Sequence, residues 1–76
     1  MENLGEKDFL IAFGKNLRRI RKAQGFTQAQ LANDIGVEIS QISRIERGII
    51  NTSISNCNEI SKALNTSILE LFKFPN

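Results

Sequence analysis

The chain contains no histidine, and only one cysteine and one proline in 76 residues. Without histidine it lacks the commonest metal ligand and general base, so neither a zinc site nor an activated cysteine nucleophile is expected. One cysteine cannot close an internal disulfide. The sequence has no phosphate-cradling glycine loop, no nucleophile beside a base and no clustered metal ligands, and its carboxylates are scattered. These absences argue against an enzyme, a metalloprotein and a cofactor binder. Long apolar runs are missing too. Phe9–Phe13, FLIAF, spans five residues, too few for a membrane span or a signal-peptide core, and the acidic start at Glu2, Glu6 and Asp8 is wrong for secretion. The expectation is a soluble, intracellular chain. No segment alternates with the period of a strand, and there is no internal repeat or low-complexity tract, which leaves an all-α class.

What is present fits one small domain. A chain of this length buries only about 60% of its unfolded surface. Its stability has to come from close helix packing, with a second subunit as one further source. The formal charge is only +2, but five of the ten Lys and Arg residues lie in Lys15–Lys22, KNLRRIRK. A local basic surface matters more to a polyanion than the total does; the plainer reading of the same run is a solvated helix face.

Residues 1–7 read as a loose polar segment and 8–76 as the domain. Asp8 is the expected cap of a first helix over about Phe9–Gln24, with Phe9, Phe13, Leu17 and Ile20 as its apolar stripe. Gly14 interrupts that stripe. Gly25 ends the helix behind Arg21 and Lys22, whose charges suit its carboxyl end, and Phe26 is expected to fold back on the core. Ile49–Ser53 is a loop. Ser53 opens a fourth helix to about Leu64, its buried side being Ile54, Cys57, Ile60, Ala63 and Leu64, with Cys57 a small core hydrophobe. Asn65 closes it. Ser67 and Glu70 form the capping box of a short fifth helix that Pro75 cannot continue.

The most informative stretch lies between, from Thr27 to Gly48, TQAQLANDIGVEISQISRIERG. Thr27 and Gln30 make a capping box, and Leu31, Ala32 and Ile35 share a face. Gly36 stops the helix, and Ile42 and Ile45 give a second helix its buried side until Gly48. Helix, glycine turn and helix make a helix-turn-helix signature. At about 100° per residue, Ser40, Ser43, Arg44 and Arg47 point away from the two isoleucines, with Ile39 on the flank. Two hydroxyls and two guanidiniums on one face suit phosphates and base edges in a DNA groove.

The chain from Phe13 to Phe72 resembles the Cro and repressor family of helix-turn-helix proteins, often called Xre-like. Arg21, Thr27-Gln28, Leu31-Ala32, Gly36-Val37, Ile42-Ser43, Ile45-Glu46 and Gly48 carry the resemblance. It implies a five-helix lambda-repressor-like domain from a bacterial or phage cytoplasm, with the helix-turn-helix at helices 2 and 3. The implied activity is sequence-specific binding of double-stranded DNA as a transcription regulator, by a homodimer. It implies base contacts from Ile39, Ser40 and Arg44, and phosphate contacts from Thr27, Gln28, Ser43 and Arg47. Arg21 and Glu46 would form a structural salt bridge joining helices 1 and 3. No metal, cofactor or small-molecule ligand is implied.

The chain departs from the family in three places. Glu38 sits at the entry to the recognition helix, where it either reads a cytosine amine or leans away. The loop Ile49–Thr52 has no Lys or Arg, so backbone contacts there are fewer. Ile49 and Ile50 are apolar in a loop, one to plug the core and one to face a partner. Leu71, Phe72 and Phe74 are candidates for a dimer surface through the carboxyl-terminal helices, or else pack on the first helix. A protein-interaction module or antitoxin-type partner, with the fold but weak or no DNA binding, is the alternative.

Overall fold

The structure, a computed structural model, describes residues 4–75. Five helices follow in order: α1 (Glu6–Ala23), α2 (Gln28–Ile35), α3 (Ile39–Glu46), α4 (Ile54–Ala63) and α5 (Ile68–Leu71). No strand occurs among the described residues. Residues 1–3 of the expected loose segment lie outside them.

α1 buries Phe13, Leu17 and Ile20, as its spacing predicts, while Phe9 at the end of the stripe stays 39% exposed. The helix starts at Glu6, three residues earlier than predicted, and Asp8 lies in its first turn instead of capping it. Gly5 occupies the cap with extended backbone and no side-chain cap bond. Carboxylates at Glu6 and Asp8 already offset the positive end of the helix dipole from within, so the helix extends without a capping side chain.

Gly14 has a packing reason that periodicity does not reveal. A Cβ there would run into the carbonyl oxygens of Ile45 and Glu46. Glycine therefore lets the α1 backbone lie directly on the end of α3. Asn16, two residues on, is a buried polar residue on the apolar side. Its Nδ2 donates to the carbonyls of Glu70 at 2.8 Å and Leu71 at 2.9 Å. It thereby satisfies the Leu71 carbonyl, adds a second donor to the Glu70 carbonyl beside the Lys73 N–H, and ties α5 to α1.

The turn between α2 and α3 is Gly36-Val37-Glu38. Gly36 takes φ 72° and ψ 35°, a left-handed conformation nearly free of cost for glycine alone. The Val37 N–H then reaches the Ala32 carbonyl at 3.0 Å, the closing bond of a Schellman stop. The chain turns at once and α3 packs across α2. Asn65, at φ 53°, gives the same kind of stop after α4, with Thr66 N–H on the Ser61 carbonyl at 2.9 Å.

α4 buries Cys57, Ile60, Ser61 and Leu64, but Ile54 is 82% exposed, contrary to the predicted stripe. It is the first residue of the helix, and no neighbouring element reaches far enough to cover it. Ser53 caps α4 by accepting the Asn56 N–H at 2.9 Å. The capping box expected at Ser67 and Glu70 does not close. Ser67 accepts the Leu69 N–H at 3.1 Å, and Glu70 turns instead to Lys73 at 3.3 Å. The Glu70 N–H that the box needs is already taken by the Ser67 carbonyl at 3.0 Å.

Of the three residues expected at a dimer surface, Leu71 is fully buried and belongs to the core. Asn16 holds its carbonyl and turns its side chain inward. Phe72 and Phe74 pack their rings on α1, against Phe13 at 5.1 Å and Phe9 at 5.4 Å. Phe72 nonetheless stays 43% exposed. Ile50 packs against the core and Ile49 faces outward. Leu17, Leu31, Ile42, Ile45, Ile60, Leu64 and Leu71 form the sealed centre, each stabilising the fold by about 1.5–3 kcal/mol through burial.

Candidate nucleic-acid interface

Ile42 and Ile45 are 0% and 2% exposed and fix the inward side of α3. With those two buried, helical geometry turns Ser40, Arg44 and Arg47 outward, and all three are exposed. Ser43 is half-buried at the edge of this face. Ile39 stands at the first turn, 50% exposed, an apolar group of the kind that packs on a thymine methyl. Arg47 folds its Nε onto the Ser43 carbonyl at 3.3 Å, which leaves its outer guanidinium nitrogens free to donate. Arg44 is exposed and held in no ion pair among the described residues, so its guanidinium is free to donate. Glu38 occupies the cap of α3, exposed and without a side-chain cap bond.

The start of α2 is set against the end of α3 by a polar cluster. Thr27 Oγ1 accepts the Gln30 N–H at 3.0 Å, and Gln30 Oε1 accepts the Thr27 N–H at 2.8 Å. The predicted capping box is therefore complete. The first-turn N–H groups of Gln28 and Ala29 have no intrahelical acceptor, as in any helix, and make the end of α2 a place for an anion.

Arg21 and Glu46 form the expected ion pair, doubly hydrogen-bonded. Nε donates to Oε2 at 2.6 Å and Nη2 to Oε1 at 3.0 Å. Arg21 Nη1 also donates to the Phe26 carbonyl at 2.7 Å. Both residues are 6% exposed, so the pair is a buried one.

Sequence reasoning missed the third member. Gln28 Nε2 donates to Glu46 Oε1 at 3.0 Å. The carboxamide keeps a second N–H and its carbonyl oxygen free. Gln28 thus has an inward bond to α3 and an outward donor at the mouth of α2. A glutamine at the first helical position, 18 residues before a buried glutamate, carries no sequence signal for this; the crossing of α2 and α3 creates it.

The basic run on α1 divides. Lys15, Arg18 and Lys22 are exposed, Arg19 Nη2 donates to Asn16 Oδ1 at 2.8 Å, and Arg21 is consumed by Glu46. Cys57 lies in the core, where burial raises its thiol pKa. A protonated thiol there packs as a small apolar group. Among the described residues no group of three or more His, Cys, Asp or Glu side chains is placed to hold a metal. None of the helices is long and apolar enough to cross a membrane.

A helix-turn-helix family model, HTH_3, matches residues 17–71. The transcriptional regulator SlrR of Bacillus subtilis is 38% identical over 60 residues, 78% of this chain but only 40% of SlrR. Control protein C.BamHI of Bacillus amyloliquefaciens is 37% identical over 65 residues, covering 84% of this chain and 80% of its own. Among solved structures, the restriction-modification controller protein C.AhdI of Aeromonas hydrophila superposes with a TM-score of 0.80 at 38% identity. That match covers 83% of this chain and 96% of the controller. The family match spans α2 and α3 with their turn and the Arg21–Glu46 pair beneath them, and this chain belongs to the Xre-like helix-turn-helix family.

Proposed function

We propose that the chain is a sequence-specific double-stranded DNA-binding transcription regulator that acts as a homodimer. α3 reads the major groove, with base contacts from Ile39, Ser40 and Arg44. Thr27, Gln28, Ser43 and Arg47 hold phosphates on either side. One observation carries the reading: α3 is seated on Ile42 and Ile45 so that its hydroxyl and guanidinium side is solvent-facing. The similarity to proteins named as transcriptional regulators and as control proteins supports it. A binding role, with no catalytic chemistry, fits the residue types present. The reading puts the protein with bacterial or phage DNA, in the cytoplasm. The second subunit approaches through the carboxyl-terminal region, where Phe72 and Phe74 remain partly uncovered.

Selection and sequencing of bound oligonucleotides tests this. Arg44→Ala is expected to blur base preference at one or two positions, costing about 1–3 kcal/mol on the preferred site. Gln28→Ala is expected to weaken all sites alike. The opposite pattern would exchange the two roles. No enriched motif with the unaltered chain would leave the interaction-module reading in its place.

A further inference from the structure

We propose that the cleft between α1 and the carboxyl-terminal tail binds a small amphipathic carboxylate, with its apolar body along α1 and its anionic end on Lys15 and Arg19. No residue of α2 or α3 lines this cleft, so the inference goes beyond the DNA reading and does not rest on it.

The cleft holds about 430 Å³, within the ~300–1,000 Å³ of small-molecule sites. One face of α1 makes its floor, with Ile11 and Ala12 half-buried along it. Phe74 and Pro75 fold back to make the other wall. The Phe74 ring rests edge-on against Phe9 at 5.4 Å, which fixes that wall in place. Phe72 does not line the cleft, so a dimer contact seated on it leaves the cleft open.

Charge sets the class of ligand. Lys15 and Arg19 stand one turn apart on the cleft, and neither has a carboxylate partner among the described residues. Phe9–Asn33 contains no acidic residue, and Glu70 of α5 is taken up by Lys73 at 3.3 Å. Arg19 is also held ready. Its Nη2 donates to Asn16 Oδ1 at 2.8 Å, and Asn16 is itself buried and anchored to two carbonyls of α5. A guanidinium fixed in this way keeps its remaining N–H groups for an anion and loses less freedom on binding.

Asp8 is the one acid on the lining. It lies seven residues before Lys15, about 10 Å along the helix, and repels a second carboxylate at that end. The arrangement therefore selects a monoanion with an apolar tail over a diacid.

Titration of the full, isotope-labelled chain with sodium decanoate, below its micelle concentration and without DNA, tests this by NMR. Saturable one-to-one binding is expected, with the largest amide shifts at Ile11, Ala12, Lys15 and Arg19. The Lys15→Gln, Arg19→Gln double variant is expected to bind about 10-fold or more weakly, through loss of charged hydrogen bonds. Arg18→Gln, off the lining, should bind much as the unaltered chain does. All three side chains are exposed, so circular dichroism should show the fold unchanged. Decanol and the diacid sebacate should both bind more weakly than decanoate. No saturable shift, equal affinity for decanol, or an unaffected double variant would overturn the proposal. So would shifts centred on the groove beside Ile54, which Phe9, Phe13, Cys57 and Phe72 wall. Because no DNA is present, a failure here leaves the major-groove reading to its own test.

Discussion

Glu46 Oε1 takes a proton donor from each of two helices, Arg21 Nη2 on α1 and Gln28 Nε2 on α2, both at 3.0 Å. Its other oxygen binds Arg21 Nε at 2.6 Å. A carboxylate this deeply enclosed is stable only because its donors replace the water it has lost. Glu46→Ala strands the Arg21 guanidinium without a counter-charge, and should cost about 3–5 kcal/mol. That is a large share of the ~5–15 kcal/mol typical of a whole domain. Replacing both charges, as Arg21→Met with Glu46→Leu, should recover much of the loss, because no buried charge is then left unpaired. Urea midpoints of the three variants measure this; a loss below about 1 kcal/mol for Glu46→Ala would mean that the pair behaves as a surface bridge. The ion pair could be expected from its place in the helix-turn-helix pattern. The Gln28 bond and the Asn16 bonds to α5 could not, because each joins groups that only the packed helices bring within reach.

Among the elements, α3 was the most legible and α4 less so. The period of Ile42 and Ile45 sets which side of α3 is covered, and the structure agrees. On α4 the same rule extends the stripe one step too far, to Ile54. Periodicity says which way a side chain points but not whether a neighbour is there to meet it. α1 shows the converse. Its stripe was readable, while Gly14 looked like a weakness in the helix. It is instead the contact point with α3, where a Cβ would lie 2.5 Å from the Glu46 carbonyl oxygen. Alanine would favour the isolated helix by about 1 kcal/mol. The clash with rigid backbone outweighs that gain, so Gly14→Ala is expected to destabilise the domain by about 1–3 kcal/mol. Thermal unfolding of that variant decides the sign. A rise in Tm would show that α1 and α3 separate easily.

As a whole the described chain measures 36 × 22 × 20 Å, and the half-sites of a dimeric helix-turn-helix protein are centred about 34 Å apart. Two copies side by side therefore suit a single operator face. The formal net charge is only +2, and the Ile49–Thr52 loop adds no cation, so ionic attraction is modest. Of the residues placed on phosphates only Arg47 is a cation, so a homodimer neutralises about two phosphates through it and the slope of log affinity against log salt should lie near about −2. Fluorescence anisotropy at several salt concentrations gives this slope, and a value near zero would remove the phosphate contacts from the picture. The sequence alone determined the helix count, the turn at Gly36 and the outward side of α3, because caps and helical period act over a few residues, while the ion pair was implied only by the family resemblance. Only the tertiary structure decided that Leu71 is core, that Gly14 is a contact and that Ile54 stands uncovered beside a groove. Burial depends on which element lies opposite, and that is a property of the assembled helices.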